Sequence, residues 1–222
     1  AAHKVGGTVV FPGTGYVEMA LAAAREHFGG LAQEVEELDI LMPIIFDGEQ
    51  ARCVRFDLNT RDAGFQILSR PRMSGDEWSL HAVGRLLGSP TALKNAAPNV
   101  GAIEDAAAYS EISHAKHYEL MQLIGLDYGP SFQGFAFSRV HHRRLTGVLE
   151  IPESVKSDAA DYLLHPALLD ACLQSLAGFF RADIESGQGV PFLPVKVGRL
   201  RLFSTSVPAQ FSAALRRQGL RS

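Results

Sequence analysis

Apolar positions along the chain change their period several times, and each change marks an element. In "GYVEMALAAAREHF" they lie almost all round the cylinder, which predicts a helix from about Gly15 to Phe28 that is buried on every side. Thr14 is placed to cap its start, Glu18 lies near that start, and Gly29-Gly30 stop it. Strand patterns follow in "EELDILMPIIF", in "VRFDLNT" with Val54, Phe56 and Leu58 alternating, in "FQILSR", and in "WSLHAVGRLL" with Trp78, Leu80, Ala82, Gly84 and Leu86 alternating. Across residues 88–108 these patterns give way to "GSPTALKNAAPNVGAIEDAAA", whose Pro, Ala, Asn and Gly predict a linker.

The second half repeats the recipe. Strands are predicted in "GFAFSRVHH" and "LTGVLEIP", a helix from about Pro166 to Phe180, then strands in "PVKVGRLRLF" and "AQFSAALRR". Pro166 suits a first helical position, where its missing N–H has no partner to lose. With no close repeat of short period, a solenoid is excluded. The fold class expected is α+β, in two similar units: residues 1–87 and residues 109–222, joined by the linker 88–108, each a curved antiparallel sheet around one long helix.

Composition narrows the function. The chain has 222 residues, 46% hydrophobic and 20% charged, enough to bury a sizeable core and unlike a disordered, collagenous or disulfide-stapled chain. Its two cysteines, Cys53 and Cys172, are far apart and in no Cys/His cluster. That supports neither a disulfide framework nor a zinc site and makes a reducing, cytoplasmic setting the expectation. Cys172 reads as a core residue. No apolar run approaches the ~20 residues of a membrane span, and the N-terminal residues lack a signal-peptide layout. Residues 1–111 carry nine basic and fifteen acidic side chains, residues 112–222 twelve and nine. This contrast is too mild and dispersed for nucleic acid. It suits an acidic protein partner on the second half, where Arg139, Arg143, Arg144, Arg199, Arg201, Arg216 and Arg217 all lie.

Three patches carry candidate chemistry. In the first, His3, Gly7 and Pro12 fall in an HxxxGxxxxP pattern just before a helix. A histidine there suits proton removal near neutral pH, and a glycine lets a carbonyl approach a backbone N–H; the spacing alone equally fits a surface histidine before a glycine-rich turn. In the second, His165-Pro166 opens a helix on which Asp170 and Gln174, four apart, share a face. In an apolar setting Gln174 would orient a carboxyl group held protonated as a general acid, whereas on a solvated face the two would be an ordinary exposed pair. The third, "GLDYGPSFQG", is a turn-rich stretch whose two aromatics are able to wall a pocket. His114 and His117, like His141 and His142, read as surface histidines, since no carboxylate or cysteine set completes a metal site.

Together and in this order the patches resemble the dehydratase domain of modular type I polyketide synthases, a double hotdog fold. The resemblance runs from residue 3 to about residue 203 and rests on His3, Gly7 and Pro12; on Tyr128, Gly129, Pro130 and Phe132 as a YGPxF motif; on His165, Pro166, Asp170 and Gln174 as HPxxxDxxxQ; and on Leu193-Pro194-Val195 as an LPF-like segment. Leu126 stands where the family usually has a tyrosine. The resemblance implies elimination of water from a 3-hydroxyacyl thioester, with His3 as base, Asp170 as acid and the Gly7 N–H on the thioester oxygen. Pro12, Leu126, Tyr128, Gly129, Phe132, His165 and Gln174 are then expected around the substrate, His165 in a structural or pocket-shaping role. It implies no metal or redox cofactor, the substrate riding on the phosphopantetheine arm of acyl carrier protein. The partners it implies are that carrier, other domains of the same synthase and a second copy in a homodimer. A non-catalytic acyl-binding hotdog, or a double-bond isomerase or cyclase using the same site, remains as an alternative.

Overall fold

The computed structural model describes residues 2–30, 33–46, 48, 51–88, 109–203 and 210–216; the linker expected at 88–108 falls almost wholly outside them. In chain order the first half contains β1 (His3–Val5), β2 (Thr8–Val10), α1 (Gly13–Phe28), β3 (Gln33–Ile40), β4 (Ile45–Phe46), β5 (Arg52–Leu58), β6 (Gly64–Pro71) and β7 (Ser79–Gly88). The second contains β8 (Ser110–Ser113), α2 (His114–Leu123), β9 (Leu126–Tyr128), β10 (Phe135–His141), β11 (Arg144–Glu150), α3 (Pro166–Gln174), α4 (Arg181–Glu185), β12 (Lys196–Leu202) and β13 (Gln210–Arg216).

Because its apolar residues surround it, α1 sits inside the first core. Tyr16, Val17, Ala20, Leu21 and Ala24 pack on Val35 and Leu38 of β3, Phe65 and Ile67 of β6, and Ala82 and Leu86 of β7. The helix starts earlier than its pattern predicts. Pro12 holds the N-cap (φ −65°, ψ 141°), and no side chain caps the first turn. Thr14, expected as the cap, lies inside the helix, 1% exposed with its hydroxyl unpartnered. Proline's fixed φ has already turned the chain from strand to helix before threonine is reached.

A five-stranded antiparallel sheet in the order β12-β3-β7-β6-β5 covers α1. Its β12 was expected in the second unit. Instead it returns to β3 over the register Lys196↔Asp39 to Leu202↔Gln33. Val197, Leu200 and Leu202 pack against the first core, and the charges on the two strands match. Arg201 reaches Glu34 at 2.8 Å, Arg199 reaches Glu34 and Glu36 at 2.9 Å each, and Lys196 reaches Asp39 at 3.4 Å. Opposite charges on facing strands stabilise a ladder, so part of the acidic first half is matched within the chain by the basic second half. Arg139 is likewise paired, with Glu111. Arg143 and Arg144 are exposed beside the β10–β11 turn, whereas the side chain of Arg216 and all of Arg217 lie outside the described residues.

In the second half, α3 packs against a sheet ordered β13-β11-β10-β8, with Ile112, Leu120, Met121, Phe135, Leu149 and Ala171 in one core. The predicted helix to Phe180 is divided: α3 ends at Gln174 and Ser175–Phe180 form 3₁₀ turns. Ser175 Oγ donates back to the Ala171 carbonyl (3.2 Å), a bond that bends helices. A Cβ at Gly178 would stand 2.8 Å from Leu145 Cδ1, so the chain there is pressed onto the sheet. A third sheet, β4-β2-β1-β9, joins the halves by pairing His3 with Tyr128 and Val5 with Leu126.

Candidate active site

His3 arrives at this junction on β1 and is 5% exposed. Its ring stands edge-on to Tyr128, with centroids 5.4 Å apart, and tilted against Phe132 at 5.2 Å. The Nδ1 atom lies 3.2 Å from the Val10 carbonyl. A carbonyl can only accept, so Nδ1 carries the proton and Nε2 keeps its lone pair. That lone pair faces Asp170 Oδ1 across 3.8 Å, too long for a direct hydrogen bond.

Asp170 comes from α3 and is equally buried. Helical spacing brings Gln174 beside it, and the Gln174 carboxamide nitrogen donates both to Asp170 Oδ2 (2.7 Å) and to the Phe132 carbonyl (3.0 Å). Burial raises the Asp170 pKa, against the opposing pull of His3 and of the Gln174 hydrogen bond. An ionised carboxylate is costly in such a place, which favours the protonated form that a general acid needs. Tyr118 and Tyr128 are held as phenols, their pKa values raised by burial and by the field of Asp170.

Two small lobes meet at His3, and Asp170 lines the second. One, of about 150 Å³, is walled by Val10, Phe11, Tyr16, Ile40, Leu41 and Pro43 of the first half. The other, of about 140 Å³, is walled by Tyr128, Leu173, Gln174, Leu176 and Phe192 of the second. His3, Gly13, Leu193 and Pro194 belong to both. Gly13 is the first residue of α1, and no side chain caps this end; the Gly15 N–H donates to the Pro12 carbonyl at 2.9 Å, which leaves the Gly13 N–H open to a ligand oxygen. A Cβ there would stand 2.7 Å from Pro194 Cγ. A larger cavity of about 450 Å³, lined by Asp57, Asn59, Gln66 and their neighbours, opens on the first sheet and includes neither member of the pair.

Not every residue singled out in the sequence reaches the site. Gly7 does not: with Gly6 it forms the two-residue turn between β1 and β2, both at positive φ (+55° and +81°). Such a turn calls for glycine, and it holds Gly7 exposed, in the wall of neither lobe. Leu126 is buried in the second core and walls neither lobe. Gly129 lets β9 close on the chain before β1, since a Cβ would stand 3.0 Å from Ala2. Pro12 sets the start of α1. His165 caps α3, its Nδ1 accepting from the Ala167 N–H at 3.2 Å. Tyr128 and Gln174 line the second lobe, while Phe132 contributes its ring and carbonyl.

Three residues escaped the sequence reading. Gly13 follows the motif proline directly, and only the helix start shows its use. Glu18 is buried on α1 and accepts the Leu163 and Leu164 N–H groups, one on each oxygen at 2.8 Å. His117, expected at the surface with His114, is 1% exposed and stacks on Phe135 at 3.9 Å; the α2 pattern of Leu120 and Met121 on the same face was the available signal. Among the described residues no group of three or more His, Cys, Asp or Glu is placed to hold a metal, and no helix is long and apolar enough to cross a membrane.

Comparison with known proteins agrees with this geometry. The family described as polyketide synthase dehydratase domain matches residues 1–70, and that described as polyketide synthase dehydratase N-terminal domain matches residues 96–220. Similar sequences include polyketide synthase GfsB of Streptomyces halstedii (34% identical over 85% of this chain and 3% of that protein) and polyketide synthase PksN of Bacillus subtilis (28% over 92% and 4%). The chain therefore spans only a small part of these relatives. Among solved structures, the dehydratase domain from the CurF module of curacin polyketide synthase is 29% identical with a TM-score of 0.78, covering 98% of this chain and 78% of that one. An isomerase-inactive variant of GphF DH1 is 28% identical with a TM-score of 0.81, covering 100% and 75%. The α+β architecture is that of these hotdog-fold dehydratase domains. With a family match over more than half its length and the motif residues converging on one buried pair, the chain belongs to the polyketide synthase dehydratase family.

Proposed function

We propose that this domain removes water from a 3-hydroxyacyl thioester carried on the phosphopantetheine arm of acyl carrier protein, giving a 2-enoyl thioester. The observation that carries this reading is the 3.8 Å separation of His3 Nε2 and Asp170 Oδ1 in a buried, apolar junction. His3 Nε2 takes a proton from C2, and the C2–H electron pair becomes the C2=C3 bond. The C3–O bond breaks as Asp170 gives its proton to the departing hydroxyl, which leaves as water. Base and acid on opposite faces of the C2–C3 bond would stand about 6–7 Å apart, each about 3–3.5 Å from its atom. A separation of 3.8 Å fits a base and an acid that serve the same face, which supports a syn elimination.

Negative charge gathers on the thioester oxygen as the C2 proton leaves. The uncapped Gly13 N–H, between the two lobes, takes the oxyanion role expected of Gly7, which lines neither lobe. One such donor contributes about 3–4 kcal/mol, and acid–base assistance about 10²–10⁴-fold. No step in this scheme calls for a metal or redox cofactor. Descriptions of CurK dehydratase variants as inactive after a histidine or an aspartate is replaced fit a mechanism that needs one of each.

The test is mass spectrometry of a carrier-bound 3-hydroxyacyl substrate incubated with the wild-type chain, His3→Ala and Asp170→Asn. Loss of one water with the wild type alone supports the reading; no loss with any folded protein overturns it. The likeness to GphF DH1 gives a second outcome meaning: a product whose double bond has moved beyond C2=C3 identifies isomerisation at the same pair.

A further inference from the structure

The turn from β3 to β4 walls the first lobe with Leu41 and Pro43, and a buried chain of polar side chains ends on it. His81 of β7 is 3% exposed and Ser69 of β6 is fully buried. The Ser69 Oγ atom lies 2.7 Å from His81 Nε2, and His81 Nδ1 lies 3.0 Å from the Met42 carbonyl. From the edge strand β5, Arg52 donates to the same Ser69 Oγ through Nε and a terminal nitrogen, at 3.0 and 2.9 Å. Burial lowers the His81 pKa and Arg52 adds to the shift, against the pull of the Met42 and Pro43 carbonyls, so at neutral pH the ring is uncharged and owns one N–H. The Met42 carbonyl only accepts, which puts that N–H on Nδ1. Ser69 Oγ accepts from Arg52, and its own hydrogen goes to the Nε2 lone pair.

What the imidazole holds is a peptide plane. Proline lacks an N–H, so the Met42 carbonyl is the hydrogen-bonding group of the Met42–Pro43 peptide. Backbone bonds anchor the turn on either side of that plane. Before it, the Leu41 and Met42 N–H groups donate to the His81 carbonyl at 2.8 and 3.2 Å; beyond it, the Ile44 N–H donates to the Tyr16 hydroxyl at 3.1 Å. Between these anchors the His81 Nδ1–H is the donor on the plane that carries Pro43.

The two lobes receive different ends of the substrate. His3 belongs to both, whereas Asp170 lines the second and not the first. In the elimination proposed above, C3 and its hydroxyl face Asp170, so the acyl tail continues in the second lobe and the thioester end lies toward the first. Leu41 and Val195 of the first lobe are 57% and 67% exposed. That lobe therefore opens outward, as the entry for an arm held by another protein has to.

We propose that His81 is a positioning residue for the carrier arm: through the Met42 carbonyl it sets the Pro43 wall of the first lobe, which receives the thioester end of the phosphopantetheine arm. Ser69 and Arg52 act one step back, by fixing which ring nitrogen holds the proton. The identity of the ligand rests on the dehydratase reading; the grip of His81 on the wall does not.

The test divides the two ring nitrogens between two variants. His81→Asn places an amide N–H where Nδ1 stands and keeps the Met42 bond; His81→Gln places its amide where Nε2 stands, keeping the Ser69 bond and losing Met42. Met42-Pro43 is the one Met-Pro step in the sequence, so carbon-13 at the methionine carbonyl with nitrogen-15 proline singles out that carbonyl by NMR. Its resonance should hold in His81→Asn and move in His81→Gln. Calorimetric titration with the propyl and hexyl thioethers of pantetheine, which cannot react, reads the wall. Binding about fivefold weaker is expected in His81→Gln, the fold-change of one hydrogen bond, with His81→Asn within about twofold of the wild type. The loss should be equal for the two alkyl groups, and KM for carrier-bound substrate should rise by the same factor with kcat within about twofold. Equal losses in the two variants overturn the proposal. So does a loss that grows with the alkyl chain, which would give the wall to the acyl tail, and so does a fall in melting temperature with binding intact, the mark of a purely structural role. Should His81→Gln not fold, His81→Leu against His81→Asn makes the same comparison. In the wild type alone, a Met42 carbonyl resonance that stays in place at saturating propyl thioether, or no binding of either thioether, also overturns it. A wild type that binds the thioethers yet eliminates no water defeats the dehydratase reading, while the resonance and the binding data still decide the role of His81.

Discussion

Glu18 offers the sharpest test of how the two halves are held. Its carboxylate sits on α1 and grips two consecutive N–H groups, Leu163 and Leu164, 145 and 146 residues away and just ahead of the His165 cap. In Glu18→Gln the carboxamide oxygen satisfies one of these donors while its NH₂ confronts the other. A charge-assisted bond of about 1.5–3 kcal/mol is lost. Part of that loss is returned, because burial disfavours the wild-type carboxylate enough to raise its pKa against both N–H bonds and Arg25. A net cost of about 2 kcal/mol is expected. In a domain of this size that lowers the melting temperature by about 4–8 °C. Glu18→Ala leaves both donors bare and costs about 4 kcal/mol. Calorimetry on the three proteins reads these values directly, with water elimination assayed on the same samples. Because Leu163 and Leu164 feed straight into α3, the rate should fall in Glu18→Gln even at temperatures where it is fully folded. A Glu18→Gln protein that melts within about 1 °C of the wild type and keeps its rate would refute the reasoning.

Other expectations follow from the same geometry. His3→Ala and Asp170→Asn should each lower kcat about 10²–10⁴-fold in proteins that still fold; steady-state rates and melts decide. Gly13→Ala drives a methyl group into Pro194 at 2.7 Å and should cost about 1–3 kcal/mol in stability, with a larger loss in kcat/KM as the shared wall shifts. Stability should fall on acidification. The His117 pKa is about 4 in the fold and about 6.5 when unfolded, so between those values the unfolded chain binds a proton that the native chain refuses. This contribution is whole above about pH 6.5 and amounts to about 3 kcal/mol lost by pH 4. His81 and His165, also lowered by burial, add in the same direction. Urea unfolding from pH 7 to 4.5 should show the decline, and His117→Phe should flatten it.

What the sequence disclosed was local. Asp170 and Gln174 were legible as a pair because helical spacing alone places them together, and His3 because a histidine four residues before a glycine and nine before a proline is a compact signature. The role of Gly7 was misplaced for the same reason. Spacing located it, but only the strand register shows that both glycines are consumed by a turn. The burial of His117 depended on which face of α2 meets Phe135, and the partner of β12 on packing and ion pairs with strands more than 150 residues away. Such long-range pairings are settled by register and by contacts closed late in the chain, neither of which a local pattern contains.

Those long-range pairings also set where His3 and Asp170 stand. Among the described residues, three of the crossings between halves end beside a site group. The β1–β9 ladder sets His3 against Tyr128. The return of β12 to β3 is preceded by Leu193 and Pro194, the wall common to both lobes. The Glu18 grip stands immediately before the His165 cap of the helix that carries Asp170. Each crossing stands beside the site group it positions, so weakening its polar links is expected to move His3 against Asp170 before either core opens. A displacement of about 1 Å is able to cost about 10²-fold in rate, whereas the same displacement at a junction leaves both cores packed. Substitutions at these crossings should therefore lower kcat well ahead of the melting temperature. A variant that melts early yet eliminates water at the wild-type rate would show that the site is held by the cores instead.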